Sequence, residues 1–142
     1  MHQITDRLFV GNISDAIQPP AQISAVLLVA EEYQIEAPTW LAYGRIPFRE
    51  FDQADPKIVA DAVGWMERHM ADNRVMVCCR AGMGRSVSVA MAYLCCGEGM
   101  AYDDVLRLVM SRRPGALPLP QLKDTIEVVQ RIRQADRNHP SG

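Results

Sequence analysis

The chain has 142 residues, 49% hydrophobic and 23% charged, with a formal net charge of −2 and a sequence pI near 5.9. That is length and apolar content for one domain with a substantial core. The slight acidity, without any Lys/Arg cluster or basic-aromatic stripe, argues against a nucleic-acid or anionic-membrane surface.

Taken in order, the elements alternate. Leu8 to Val10 and the wholly apolar Ala25 to Ala30 read as strands, and Tyr43 to Phe48 as a third. Pro56 to Met70 carries Val59, Val63, Met66 and Met70 at helical spacing, with Asp55 as its cap and Pro56 in the first turn. Val75 to Cys78 is a short β-branched run suited to a central strand, and Ser86 to Cys96 is apolar and of helix length, stopped by Gly97-Glu98-Gly99. Asp103 and Asp104 favour the start of a helix that runs to Arg112. Gly115 to Pro120 is rich in breakers, and Gln121 to Gln134 repeats Leu122, Ile126, Val129 and Ile132. Beyond Ala135, residues 136–142 read as a polar, frayed tail of one domain spanning 1–142. Strands interleaved with helices mean an α/β fold: a mostly parallel sheet of four or five strands flanked by helices.

The chemistry concentrates between Val75 and Ser86. A thiol, Cys79, follows the apolar strand, and Arg80-Ala81-Gly82-Met83-Gly84-Arg85 lead into the helix. Unpaired amides and the positive end of the helix dipole attract an oxyanion there and stabilise a thiolate. Gly82 and Gly84 let the loop curl so that successive N–H groups face one point. Arg85 adds a planar fork able to grip two phosphate oxygens. In such a nest the Cys79 thiol is expected to ionise near neutral pH, and a sulfur anion aimed at bound phosphorus implies a covalent thiophosphate.

Cys79-x5-Arg85-Ser86, with both glycines, resembles the active-site loop of the cysteine-dependent protein phosphatases, and the chain looks like their small dual-specificity type. Ile4 to Asn12 is similar to the family's opening strand and turn, and Ser111-Arg112-Arg113-Pro114 to the end of a late helix, so the likeness runs from about Ile4 to Ile132. The resemblance implies Cys79 as nucleophile, Arg85 as phosphate clamp, the amides of Arg80 to Arg85 around the phosphate, and Ser86 as a donor that eases thiolate departure. It implies no metal and no cofactor. The substrate would be a phosphoprotein carrying phosphotyrosine, with phosphoserine and phosphothreonine as further possibilities. A phosphoinositide or RNA 5′-phosphate is the alternative within the enzyme class, and a phosphate-binding adaptor the alternative outside it.

Two departures stand out. The family has His immediately before the nucleophile; here Cys78 stands there, so a less rigidly buttressed loop is expected. The family's general acid is an Asp after the third strand, and here that stretch offers Glu50 in the ungapped position and Asp52 two residues on, with Asp55 a weaker third.

Other features have plain readings. Cys78, Cys95 and Cys96 suit buried hydrophobes, with a Cys78–Cys79 redox pair as the sharper alternative. His2, His69 and His139 are scattered, without an evident role. Trp40 and Trp65 suit packing, and Arg45, Arg49 and Arg80 are solvated charges or substrate attractors. The paired cysteines lack the spacing of a secreted disulfide framework, and no apolar run reaches membrane length. Neither a basic nor a continuous apolar stretch opens the chain. Reduced thiols, a cytoplasmic location and a monomer without nucleic-acid or membrane partners are the expectations.

Overall fold

The computed structural model describes residues 1–138. Its elements are β1 (His2–Gln3), β2 (Leu8–Gly11), α1 (Ile13–Ile17), β3 (Ala25–Ala30), β4 (Ala42–Phe48), α2 (Pro56–Met70), β5 (Val75–Cys78), α3 (Arg85–Cys96), α4 (Tyr102–Arg112) and α5 (Leu122–Asn138). The strands form one five-stranded sheet in the order β1-β2-β5-β3-β4. All pairs are parallel except β1 with β2. The α/β class and mostly parallel sheet are as the sequence predicts.

Burial explains the composition of each element. β3 lies between β5 and β4, and all its residues from Ala25 to Ala30 have no exposed surface, which is why it is an unbroken apolar run. β4 is an edge strand with an exposed Arg45, and its Gly44 admits the indole of Trp65: a Cβ there would sit 2.4 Å from Nε1. α3 is buried along its length apart from Cys96, so it is apolar on every side. It packs against α2, α4 and α5.

β1 and α1 carry too little pattern to be read from sequence. β1 has two residues. α1 is a single short turn held by a reciprocal cap, in which Asn12 Oδ1 accepts from the Asp15 amide at 3.0 Å and Asp15 Oδ2 from the Asn12 amide at 3.0 Å. Asp55 caps α2 as expected, accepting from the Lys57 amide at 2.9 Å. α5 runs on to Asn138, past the Gln134 end read from the sequence, so the tail expected from residue 136 begins helical; residues 139–142 lie outside the described residues. Trp65 packs as expected, whereas Trp40 is 63% exposed.

Because β2, β5 and β3 are parallel and in register, with Gly11 opposite Cys78 and Leu28 opposite Cys78, their carboxyl ends are level. The loops after β2, β3, β4 and β5 therefore converge on one rim.

Candidate active site

β5 ends at Cys78 and α3 begins at Arg85, so residues 79–84 must fold into a compact loop. The carbonyls from Arg80 to Gly84 are each tied down. The Ile13 amide donates to Arg80 O at 3.2 Å and the Leu117 amide to Met83 O at 2.7 Å. Arg113 donates through Nη2 to Ala81 O at 3.3 Å and through Nε to Gly82 O at 3.0 Å. The Ser88 amide and hydroxyl reach Gly84 O at 2.9 and 2.8 Å. In a trans peptide unit the N–H points away from the C=O, so fixing these carbonyls turns the amides of Ala81 through Arg85 the other way. Among the described residues none of those amides is spent on a protein acceptor. α3 also has no side-chain cap, which leaves its first N–H groups open.

The two loop glycines differ. Gly82 has φ +73°, and a Cβ there would lie 2.5 Å from Arg113 Nη2 and 2.7 Å from Gly11 O. Gly84 has φ −115°, so of the two glycines expected to let the loop curl, Gly82 is the one in the left-handed region.

Cys79 Sγ lies 3.2 Å from Ser86 Oγ, and Cys79 is 2% exposed at the base of a cleft of about 370 Å³. Ala81, Met83, Gly84 and Arg85 line the same cleft, together with Glu50, Phe51 and Leu117 to Pro120. Arg85 is 1% exposed. Its Nη1 donates to Glu32 Oε1 at 2.5 Å and to Phe48 O at 3.1 Å, and its Nη2 to Glu32 Oε2 at 2.8 Å. A guanidinium has five N–H donors; those left over are Nε–H and one hydrogen of Nη2, which share an edge and suit two oxygens of one phosphate. Hydrogen bonding from Arg85 holds the Glu32 carboxyl below its usual range.

The acid candidates part company. Glu50 lies 3.9 Å from Arg85 Nη2 and 4.0 Å from Arg80 Nη1 and faces the cleft. Asp52 is exposed and lines a separate pocket with Glu31, Pro47 and Arg49. Between them Phe51 adopts φ +66°, a left-handed turn that sends its neighbours to different sides. Asp55 is occupied as the α2 cap.

Four residues here have contacts to which the sequence reading gave no role. Glu32 follows an uninterrupted apolar strand, and only the parallel register brings it to Arg85. Arg113, 5% exposed, reads as a helix-end cation yet turns inward. Ser88 joins two loops by donating to Gly84 O and accepting from the Leu119 amide at 2.8 Å. His2 Nδ1 lies 2.6 Å from Arg113 Nη1, so one imidazole does touch the loop's support, contrary to the sequence reading. Arg45 is committed to Tyr33 O at 2.8 Å and Glu31 O at 2.9 Å. Burial pushes the Cys78 thiol well up, and raises Cys95 and Cys96 to about 11.

Comparison with known proteins gives a consistent picture. The family model described as "Dual specificity phosphatase, catalytic domain" matches residues 8–132. Dual specificity protein phosphatase 1B of Arabidopsis thaliana is 29% identical over 126 residues, covering 84% of this chain and 75% of that protein. Dual specificity protein phosphatase Mpk3 of Drosophila melanogaster is 30% identical over 119 residues, 78% of this chain but 29% of its own length. The crystal structure of human DUSP28 superposes with a TM-score of 0.79 at 22% identity, covering 96% of this chain and 99% of that one; that likeness carries the fold.

Proposed function

The chain belongs to the dual specificity phosphatase family, and from that premise we propose that it hydrolyses phosphoproteins through a cysteinyl-phosphate on Cys79. The observation that carries this reading is the set of unspent amides from Ala81 to Arg85 around the cleft in which Cys79 Sγ lies. In the first step Cys79 Sγ bonds to phosphorus, the ester P–O bond breaks, and Glu50 gives its proton to the departing oxygen. The loop amides and the free edge of Arg85 hold the equatorial oxygens. In the second step water attacks phosphorus, its proton passes to Glu50, and the S–P bond breaks as the Ser86 hydroxyl donates to the departing sulfur. Glu50 takes the acid role because it faces the cleft and Asp52 does not.

Phosphotyrosine is the favoured substrate. Phe51, Met83, Leu117 and Leu119 give the cleft apolar walls suited to an aryl ring, and beyond Arg85 the exposed Arg80 is the nearby cation, which offers little to a multiply phosphorylated headgroup. The chain acts as a monomer in a reducing, cytoplasmic setting, without nucleic-acid or membrane partners; no helix among the described residues is long and apolar enough to cross a membrane.

The test is hydrolysis of phosphotyrosine peptides and an aryl phosphate in the presence of chelator. Turnover, trapping of a phosphorylated Cys79, and its loss in Cys79→Ser are expected. Phosphopeptide binding without turnover would establish the adaptor reading instead, and full activity of Cys79→Ser would overturn the mechanism.

A further inference from the structure

The phosphate loop lacks the family's His before the nucleophile, yet an imidazole supports it from another direction. His2 Nδ1 sits 2.6 Å from Arg113 Nη1, while the same guanidinium donates through Nε to Gly82 O at 3.0 Å and through Nη2 to Ala81 O at 3.3 Å. Guanidinium nitrogens only donate, so Nδ1 must be a bare acceptor and the ring must be neutral, with its proton on Nε2. Arg113 is buried and planar, so one rigid group holds both carbonyls, and the His2 ring meets it from the exposed end of the chain's first strand. Because the Ala81 carbonyl opposes the Gly82 amide and the Gly82 carbonyl opposes the Met83 amide, the tilt of that guanidinium sets the aim of two oxyanion donors. A Cβ on Gly82 would strike Arg113, which shows how closely the two fit.

We propose that His2 is a positioning residue for the phosphate loop: as a neutral ring it fixes Arg113, and Arg113 aims the Gly82 and Met83 amides at the bound oxyanion. Protonation converts Nδ1 from acceptor to donor, breaks the contact and places two cations side by side, so the support is present above the histidine range and lost below it. The charged groups facing His2 are Arg113 at the end of α4, the Met1 amino group and Asp15 on α1. Desolvation, Arg113 and the amino group push its pKa below the ordinary value, outweighing Asp15, which raises it; the ring is neutral at neutral pH.

The inference rests on the phosphatase reading only for the identity of the anion, and binding can be read without turnover. Inorganic phosphate is titrated calorimetrically onto the full chain, His2→Ala and His2→Gln, at about pH 7.5 and about pH 5. At the higher pH His2→Ala binds phosphate about fivefold more weakly than the parent chain. At the lower pH that ratio falls to about one, because the parent ring has also let go. His2→Gln, whose amide oxygen accepts but does not titrate, keeps parent affinity at the higher pH and binds more tightly than the parent at the lower one. Phosphate's own ionisation is common to all three and cancels in the ratios. Parent-like affinity of His2→Ala at the higher pH, or a ratio that does not move with pH, overturns the proposal. Phosphate binding with the expected ratios but no hydrolysis would overturn the phosphatase reading and leave this one standing.

Discussion

Arg85 presents both ends of its guanidinium fork to one carboxylate, with Nη1 2.5 Å from Glu32 Oε1 and Nη2 2.8 Å from Oε2. The contact decides which edge of the guanidinium faces the cleft, because the end-on donors are taken and the side-on pair is not. It also neutralises a cation that is almost wholly buried.

This pair makes a pH-dependent contribution to stability. The Glu32 carboxyl is held below its usual range by Arg85, so the stabilisation is complete above the unfolded carboxylate value and is lost as pH falls through the folded one. Glu32 is partly exposed, which discounts the pair to about 1 kcal/mol. Glu32→Gln should therefore unfold at lower denaturant near neutral pH, with the gap to the parent chain closing in acid, as the carboxyl takes up its proton below its usual range. Its turnover should fall about tenfold, because the clamp edge is no longer fixed. Denaturant midpoints near neutral pH and in acid check the first expectation, and a gap that stays constant would contradict it.

Glu50 and Asp52 differ in type and by two positions, and the structure separates them by the side of the Phe51 turn on which each lies. Glu50→Gln should lower turnover of phenyl and alkyl phosphates about 100-fold, and that of a nitrophenyl ester much less, since a good leaving group needs no proton. The alkaline limb of the pH–rate profile should flatten in the same variant. Asp52→Asn should leave both unchanged. A collapse in Asp52→Asn alone would move the acid to the other side of the turn.

How far these assignments were legible follows from the range of the interactions. The Cys79 to Ser86 segment could be read because strand, loop and helix are contiguous and every chemical type lies within a few residues. Asp55 as a cap and the buried run from Ala25 to Ala30 are local for the same reason. Glu32, Arg113 and His2 act across 53, 31 and 111 positions of sequence respectively, and nothing local marks them: Glu32 sits in a polar loop, and Arg113 ends a helix where cations are ordinary. Glu50 and Asp52 line different pockets on either side of a single positive φ at a phenylalanine, a conformation that a bulky side chain does not announce.

The thiols should react unequally. Burial raises Cys78 well above the ordinary thiol value and Cys95 and Cys96 to about 11, so all three are protonated at neutral pH, whereas Cys79 opens on the cleft beside Arg85 and the start of α3. Limited iodoacetamide at about pH 6.5 should modify Cys79 first, abolish activity in step with a single adduct, and be slowed by phosphate. Peptide mapping identifies the site. Early modification of Cys78, or inactivation without an adduct on Cys79, would contradict the assignment of the cleft thiol.

Phe51 combines two properties that a substitution can separate. It is 75% exposed and holds φ +66°, a strained conformation for a non-glycine residue, while it lines the cleft together with Leu117, itself 68% exposed. Phe51→Gly should relieve the strain and leave stability equal or raise it by about 1 kcal/mol. The same change should raise KM for phosphotyrosine peptides about fivefold, because the lost wall covers an aryl ring. Phosphothreonine peptides, whose shorter side chain reaches less of that wall, should lose much less, so the ratio of kcat/KM between the two substrate types falls. Leu117→Ala should shift the ratio in the same direction with stability within about 0.5 kcal/mol of the parent. Equal losses on both substrates in the two variants would mean that the walls support the loop rather than read the substrate.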